Sequence, residues 1–348
     1  MKRLLYFLLC TTLFLTGCGG KKATEPKQET APTPDVEEAR YLTISATGDF
    51  TLAADAKDLN SENFNEVYKA HGAEWFMQNC KEFFENDDLT IVNLECALSN
   101  EGDIVSKEFN FKGLPEYVDI LKDGSVEAVT LANNHSLDYG NVALENTMGL
   151  LDENGIAWCR NADIACFEKN GVKVGMIGIY ALTDEGIDYL EEAMENVKAE
   201  NPDIIIASFH WGIEKDTEPT SLQKELAHKA IDLGANLVLA HHPHVLQGIE
   251  KYNGAYICYS LGNFCFGGNN NPSDKDSMVF RQTFTIDKEG AVLDDDAVEI
   301  VPFNISSSED YNNFQPTPAK GERRERIIKK LTTYSKDLGL EITEDWFV

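Results

Sequence analysis

Short apolar runs recur along the chain with turn-forming residues between them. Tyr41–Thr47, Leu89–Leu94, Val126–Leu131, Val172–Ile179, Ile204–Phe209 and Leu237–Ala240 are four to eight residues long and rich in β-branched side chains, which predicts buried strands. Between them, Glu74–Glu85, Val142–Asn154, Ile187–Ala199 and Ser221–Leu233 repeat apolar positions at helical spacing. The alternation predicts βαβ units around largely parallel sheets, an α/β class. From Val245 to Phe303 the pattern becomes hairpins, with turns at Tyr252-Asn253-Gly254 and Asp287–Gly290, and a charged amphipathic helix is expected over Gly321–Leu338.

The N-terminus reads differently. Met1-Lys2-Arg3 followed by an apolar run from Leu4 to Leu15 has the form of a secretory signal, too short for the roughly 20 apolar residues of a membrane-spanning helix. The run ends in Leu15-Thr16-Gly17-Cys18, which resembles the lipobox of bacterial lipoproteins, and this implies lipid attachment at Cys18 and cleavage before it. Residues 19–40 hold almost nothing apolar and are too polar to bury the surface that folding requires. The expected organisation is a signal peptide over 1–17, a disordered tether over 18–40, one large domain over 41–310 and a peripheral C-terminal helical segment over 311–348. The expected location is the extracytoplasmic face of the cell membrane, held by the lipid.

With 59 acidic against 30 basic residues the formal charge is −29, so the broad basic footprint of a nucleic-acid binder is absent and nucleic acid is excluded as a partner. Removing Cys10 with the signal and Cys18 with the lipid leaves six cysteines without a Cys-x-x-Cys pair, so no zinc ribbon or thioredoxin-type site is supported. No Gly-x-Ser-x-Gly elbow, His-Glu-x-x-His helix, Walker loop or dinucleotide glycine fingerprint is present.

Chemistry-bearing residues gather where the expected strands end. They are Thr47-Gly48-Asp49, Asn93-Leu94-Glu95, Asn133-Asn134-His135, Phe209-His210-Trp211-Gly212 and His241-His242-Pro243-His244. In open α/β sheets the carboxyl ends of the strands form the ligand crevice, so these groups should converge. Carboxylate, amide and imidazole donors suit Mn²⁺, Zn²⁺ or Fe²⁺ better than Ca²⁺. His71 and His228 lie in polar helical surroundings and read as surface residues. Ser260 in Tyr259–Phe264 reads as part of a strand entering a turn, with Asn263 reaching substrate, and Trp211 is a candidate for stacking on it.

These motifs, with Asn133–Gly140, His210-Trp211-Gly212-x-Glu214, His242-Pro243-His244 and Tyr259–Phe264, resemble the ordered motif set of the bacterial capsule-synthesis CapA proteins, called PgsA in poly-γ-glutamate systems. That family is similar to the calcineurin-like metallophosphoesterases, which implies a four-layer fold, a β-sandwich flanked by helices. Carried over, the resemblance makes Asp49, Glu95, Asn134, His210, His242 and His244 metal ligands and His135 the catalytic non-ligand histidine, with Asn133, Trp211 and Asn263 near substrate. Two departures stand out. Thr51 occupies the place of a ligand histidine, and Glu95 that of a bridging aspartate. Glu95, Asn134, His210 and His242 keep a full set for one ion, whereas Asp49, Glu95 and His244 hold the other position weakly or not at all. Asp55 and Asp138 are available substitutes, with surface or helix-capping roles as their simpler reading. The resemblance implies a metal-dependent hydrolase-like protein in capsule or poly-γ-glutamate production, working with membrane polymer-synthase subunits and an anionic surface polymer. The alternative is a non-catalytic scaffold subunit with a degenerate metal site.

Overall fold

The computed structural model describes residues 39–348. The signal segment, Cys18 and nearly all of the tether lie outside the described residues, and the expected tether runs one residue too far, since Arg40 already belongs to the first strand.

In chain order the strands are β1 (Arg40–Thr51), β2 (Leu89–Leu94), β3 (Ala97–Leu98), β4 (Lys112–Gly113), β5 (Ala128–Thr130), β6 (Ala157–Cys159), β7 (Ala165–Lys169) and β8 (Val172–Tyr180). They continue with β9 (Ile204–His210), β10 (Leu237–His241), β11 (Ile249–Tyr252), β12 (Ala255–Cys258), β13 (Asn263–Phe266), β14 (Asp276–Ile286), β15 (Val298–Asn304) and β16 (Thr317–Pro318). One sheet has the order β16-β15-β14-β1-β2-β5-β6, with β13 beside β1, and the other has the order β11-β12-β10-β9-β8-β7. β1, β2, β5 and β6 run parallel, as do β8, β9, β10 and β12. The hairpin predicted at Asn253-Gly254 joins β11 to antiparallel β12.

Period-two alternation decides what each face buries. Ile204 and Ile206 of β9 enter a core that also holds Leu42, Ile44, Leu89 and Ile91 of the first sheet, so this core lies between the sheets. Ile205, Ala207 and Phe209 point the other way, toward α6 (Asp184–Ala199) and α7 (Ser221–Asp232), through Leu190, Met194 and Leu226. The outer face of the first sheet is covered by a third cluster that includes Phe64, Phe76, Phe84, Leu121 and Leu151. These come from α1 (Phe64–His71), α2 (Glu74–Met77), α3 (Lys81–Glu85), α4 (Val118–Asp123) and α5 (Gly140–Glu153). Helices, sheet, sheet and helices make the expected four-layer α/β architecture.

The C-terminal segment differs from expectation. It is part of the core rather than a peripheral appendage. α8 (Glu322–Lys336) buries Ile327 and Leu331 in the inter-sheet core, where Ile342 and Phe347 join it, and Phe314 closes the outer core of the first sheet. The physical reason is that α8 has an apolar stripe and the inter-sheet core is left open at β11, β14 and β15 until a helix covers it. The helix is also clamped by charge. Arg326 donates two hydrogen bonds to the buried carboxylate of Asp276, at 2.9 and 2.6 Å, and Lys330 Nζ lies 2.8 Å from the same group.

Candidate metal centre

Both sheets send the carboxyl ends of their parallel strands to the same rim. β1 delivers Asp49 through a shift in its register with β2 between Ala46 and Asp49. The shift shows in the packing. Leu42, Ile44 and Ala46 face the inter-sheet core, yet Phe50, an even step further on, faces the outer one. A bulge of this kind re-aims the side chain that follows. It is accommodated because residue 48 is glycine, whose Cβ would stand 2.0 Å from the Gly262 carbonyl oxygen, and Asp49 N–H donates to that carbonyl at 2.9 Å.

Asp49, Glu95 and His210 are essentially inaccessible to solvent, and His242 and His244 lie at the turn after β10 with φ of 95° and 56°. Positive φ is unfavourable for such residues and concentrates at functional sites. Ligand atoms of Glu95, His210 and His242 lie within 4.8 Å of one another, as do those of Asp49, Glu95 and His244. Asn134 Oδ1 is 2.8 Å from His210 Nε2, Glu95 Oε1 is 3.5 Å from His210 Nε2, and Asp49 Oδ2 is 3.1 Å from His244 Nδ1. The structure therefore brings all six residues expected as ligands into one cluster.

The electrostatics are those of a site suited to receive a positive charge. Burial pushes the Glu95 carboxyl up to about 8, helped by the charge of Asp49 beside it. Burial also raises Asp49, but the imidazoles of His241 and His244 close beside it outweigh that and hold the carboxyl well below its usual range. His210 is driven well below the usual imidazole value by burial and then by neighbouring His242, and His242 falls to about 4 by burial and the charge of His244. His244 goes the other way, to about 10, because the charges of Glu95 and Asp49 beside it overcome its burial. Buried Asp49 Oδ2, Glu95 Oε1 and His242 Nδ1 have no aligned hydrogen-bond partner. Orphaned oxygen and nitrogen atoms gathered in one cluster fit a divalent transition ion, with its donors already assembled.

Compared with known families, residues 43–268 match the model described as bacterial capsule synthesis protein PGA_cap. The chain belongs to that family. It is 27% identical to the PGA biosynthesis protein CapA of Bacillus subtilis (strain 168), over 77% of this chain and 73% of that one. It is 25% identical to the capsule biosynthesis protein CapA of Bacillus anthracis, over 85% and 74%. A probable polyglutamine synthesis accessory protein of Mycobacterium tuberculosis matches at 26% over 51% and 55%. Among solved structures, a hypothetical protein from Thermus thermophilus covers 76% of this chain and 99% of its own, with TM-score 0.47 and 14% identity.

Within this family member, His135 lies beside the cluster on the wall of a cavity of about 210 Å³, shared with His244, Asn263 and the rings of Phe109, Phe111 and Phe266. Its Nδ1 is 2.7 Å from Asp138 Oδ2. Burial lowers its pKa, and the bond to Asp138 opposes that. Asp138, which the sequence suggested as a surface or capping residue, is fully buried. It also accepts from Lys107 Nζ at 2.6 Å and from Phe111 N–H at 2.7 Å. Asp55 instead caps a turn, accepting from the backbone N–H groups of Lys57 and Asn110.

The residues expected near substrate fare differently. Asn133 commits its amide to scaffold: Nδ2 donates to Asn93 Oδ1 and the Leu94 carbonyl, and Oδ1 accepts from the N–H groups of His135 and Ser136. Trp211 is 1% exposed, stacks on Phe209 and donates Nε1–H to the Tyr259 carbonyl, so it packs in the helix-side core rather than in the cleft. Asn263 lines the cleft but places Oδ1 2.8 Å from His244 Nδ1, which orients that ring. Ser260 is buried and donates to the Val245 carbonyl. His71 stacks on Trp75 and His228 on Tyr252, both away from the cluster. Sequence reasoning placed Asn93 and His241 among the strand-exit residues but gave neither a role; Asn93 Nδ2 donates to Asp49 Oδ1 at 2.8 Å, and His241 Nδ1 is 3.3 Å from the same oxygen. The period-two position of Asn93, two residues before Glu95 at a strand exit, was the available signal.

Proposed function

We propose that this protein is a divalent-metal-dependent phosphoester hydrolase. We place it outside the cytoplasm, tethered through Cys18, acting on a surface polymer or its precursor in capsule or poly-γ-glutamate production beside membrane synthase subunits. The observation that carries the chemistry is the convergence of Glu95, Asn134, His210 and His242 at one point of the cleft rim, with orphaned donor atoms among them. The names of the Bacillus relatives, a PGA biosynthesis protein and a capsule biosynthesis protein, support the process. These four residues would hold an ion such as Mn²⁺, Zn²⁺ or Fe²⁺, and Asp49, Glu95 and His244 a second, weaker one. A bound ion of this kind supplies Lewis acidity toward a phosphoryl oxygen and acidifies water.

The rest of the chemistry belongs to the chain. His135 holds a proton at Nδ1 toward Asp138 and presents its other nitrogen to the cleft, where it exchanges a proton with the leaving oxygen. Lys107, fixed to the Asn134 carbonyl at 2.6 Å and to Asp138, keeps the loop carrying both residues in place. The phenyl rings of Phe111 and Phe266 exclude water from one side of the cleft.

The test is metal analysis of the full chain, followed by hydrolysis of bis(p-nitrophenyl) phosphate with Mn²⁺. The expected result is bound metal and turnover that His135→Ala lowers by roughly 10²–10⁴-fold with metal content unchanged. A chain that takes up no Mn²⁺ or Zn²⁺ would sink the hydrolase reading. One observation favours the scaffold alternative. Thr51 stands at a ligand position and turns its hydroxyl to Glu95 Oε2 at 3.3 Å. Metal binding without turnover of any phosphoester would decide for it.

A further inference from the structure

Glu214 is an exposed carboxylate on the loop after β9, and among the described residues none forms a hydrogen bond or ion pair with it. The loop is nevertheless built firmly. Gly212 has φ of 84°, and a Cβ there would stand 2.7 Å from Gln223 Oε1. Gln223 is itself held by the capping box that starts α7 and by its Nε2 donating to Gln247 Oε1 at 2.9 Å. Gln247 Nε2 donates in turn to the Asp216 carbonyl at 2.9 Å. Lys215, at φ of 64°, donates its N–H to the carbonyl of Pro243 at 2.8 Å, and Pro243 lies between His242 and His244.

The Glu214 loop and the two-histidine turn are thus one hydrogen-bonded unit. Within it, a carboxylate oxygen of Glu214 and ring nitrogens of His242 and His244 all lie within 4.8 Å of one another. His242 is 7% exposed and its Nδ1 has no partner. Two imidazoles and one carboxylate on one side, with the other side open to the cleft, form a donor set suited to Mn²⁺, Fe²⁺ or Zn²⁺.

We propose that Glu214 is a metal ligand, its carboxylate standing with His242 and His244 as a donor to a divalent transition ion at the mouth of the cleft. The inference rests on the metal-dependent reading above. It adds a residue that the ligand set drawn from sequence left out, and it explains why an exposed acid is carried on a loop with two hydrogen-bonded anchors.

Calorimetric titration of the metal-free full chain with Mn²⁺ and with Zn²⁺, together with the visible spectrum of the Co²⁺-loaded form, tests it. Glu214→Gln should weaken or abolish one binding step by about 10-fold or more and alter the Co²⁺ bands. Glu218→Gln, which removes the same charge from the same loop, should leave both as they are. Equal affinities and spectra for the parent and Glu214→Gln would overturn the assignment while leaving the metal centre intact. So would an equal loss in Glu218→Gln, which would trace the effect to charge alone. A parent chain that binds no ion would remove the proposed function along with this ligand.

Discussion

Asp138 shows how much one carboxylate can organise. It is buried and accepts from Lys107, from the Phe111 N–H and, with proton at Nδ1, from His135. Asp138→Ala would leave an ammonium group and two other donors without their acceptor, and breaking a buried charged network costs about 3–5 kcal/mol. The expected observation is a lower urea midpoint at unchanged slope. Asp138→Asn, with its amide oxygen in the Oδ2 place, keeps the volume and the bonds from Phe111 and His135 but turns an NH₂ group toward Lys107, so its loss in stability should be smaller and the orientation of His135 should be lost only in Asp138→Ala. That the acid folds inward was not legible from sequence, because its loop has no periodicity and Lys107 lies far upstream. Trp211 was legible and misread. It directly follows His210, the last residue of β9, and continues its alternation, so the two rings point to opposite faces. The face that His210 turns to the candidate ligand cluster is the one Trp211 turns away from.

At the scale of elements, the buried parallel strands were plain in the sequence because apolar runs bounded by turns leave few alternatives. The half-buried edge strands β6 and β7 were not, since β6 has only three residues and β7 five of mixed polarity, too little to match a template. The helix expected over Glu74–Glu85 is two short helices, α2 and α3, broken near Cys80, whose φ of −130° is not helical. Asn79 beside the break donates to Thr317, so the C-terminal segment rather than local propensity sets the division. The register shift in β1 could not be read from composition, yet it places Asp49. Gly48→Ala should therefore do two things. The Cβ would collide with the Gly262 backbone, costing about 1–3 kcal/mol or more as overpacking. It should also displace Asp49 and reduce metal affinity, measured by calorimetry, even where the variant remains folded.

For the molecule as a whole, α8 acts as the closing piece of the inter-sheet core, tied down by Asp276. Burial raises that carboxyl, but the hydrogen bonds from Arg326 and Lys330 lower it further, so its folded pKa lies below the ordinary 3.8. A lowered folded value contributes stability above the unfolded pKa and loses it as pH falls through the folded one. The difference in urea stability between the parent and Asp276→Asn should thus be full at neutral pH and shrink below about pH 4. Arg326 is half exposed, so solvent screening should keep the neutral-pH difference to about 2 kcal/mol, below that of a fully buried pair. The six described cysteines are free, and five of them are buried.

The cluster draws Asp49, Glu95 and Asn134 from one sheet and His210, His242 and His244 from the other. Neither half of the polypeptide can assemble it alone. A chain in which the two sheets have formed but not yet docked would hold only fragments of the coordination set, and its hold on metal would be weak. Ion uptake would then act as a proofreading signal for tertiary assembly: a folding intermediate would stay unloaded, and each loaded molecule would certify that its two halves had met in register.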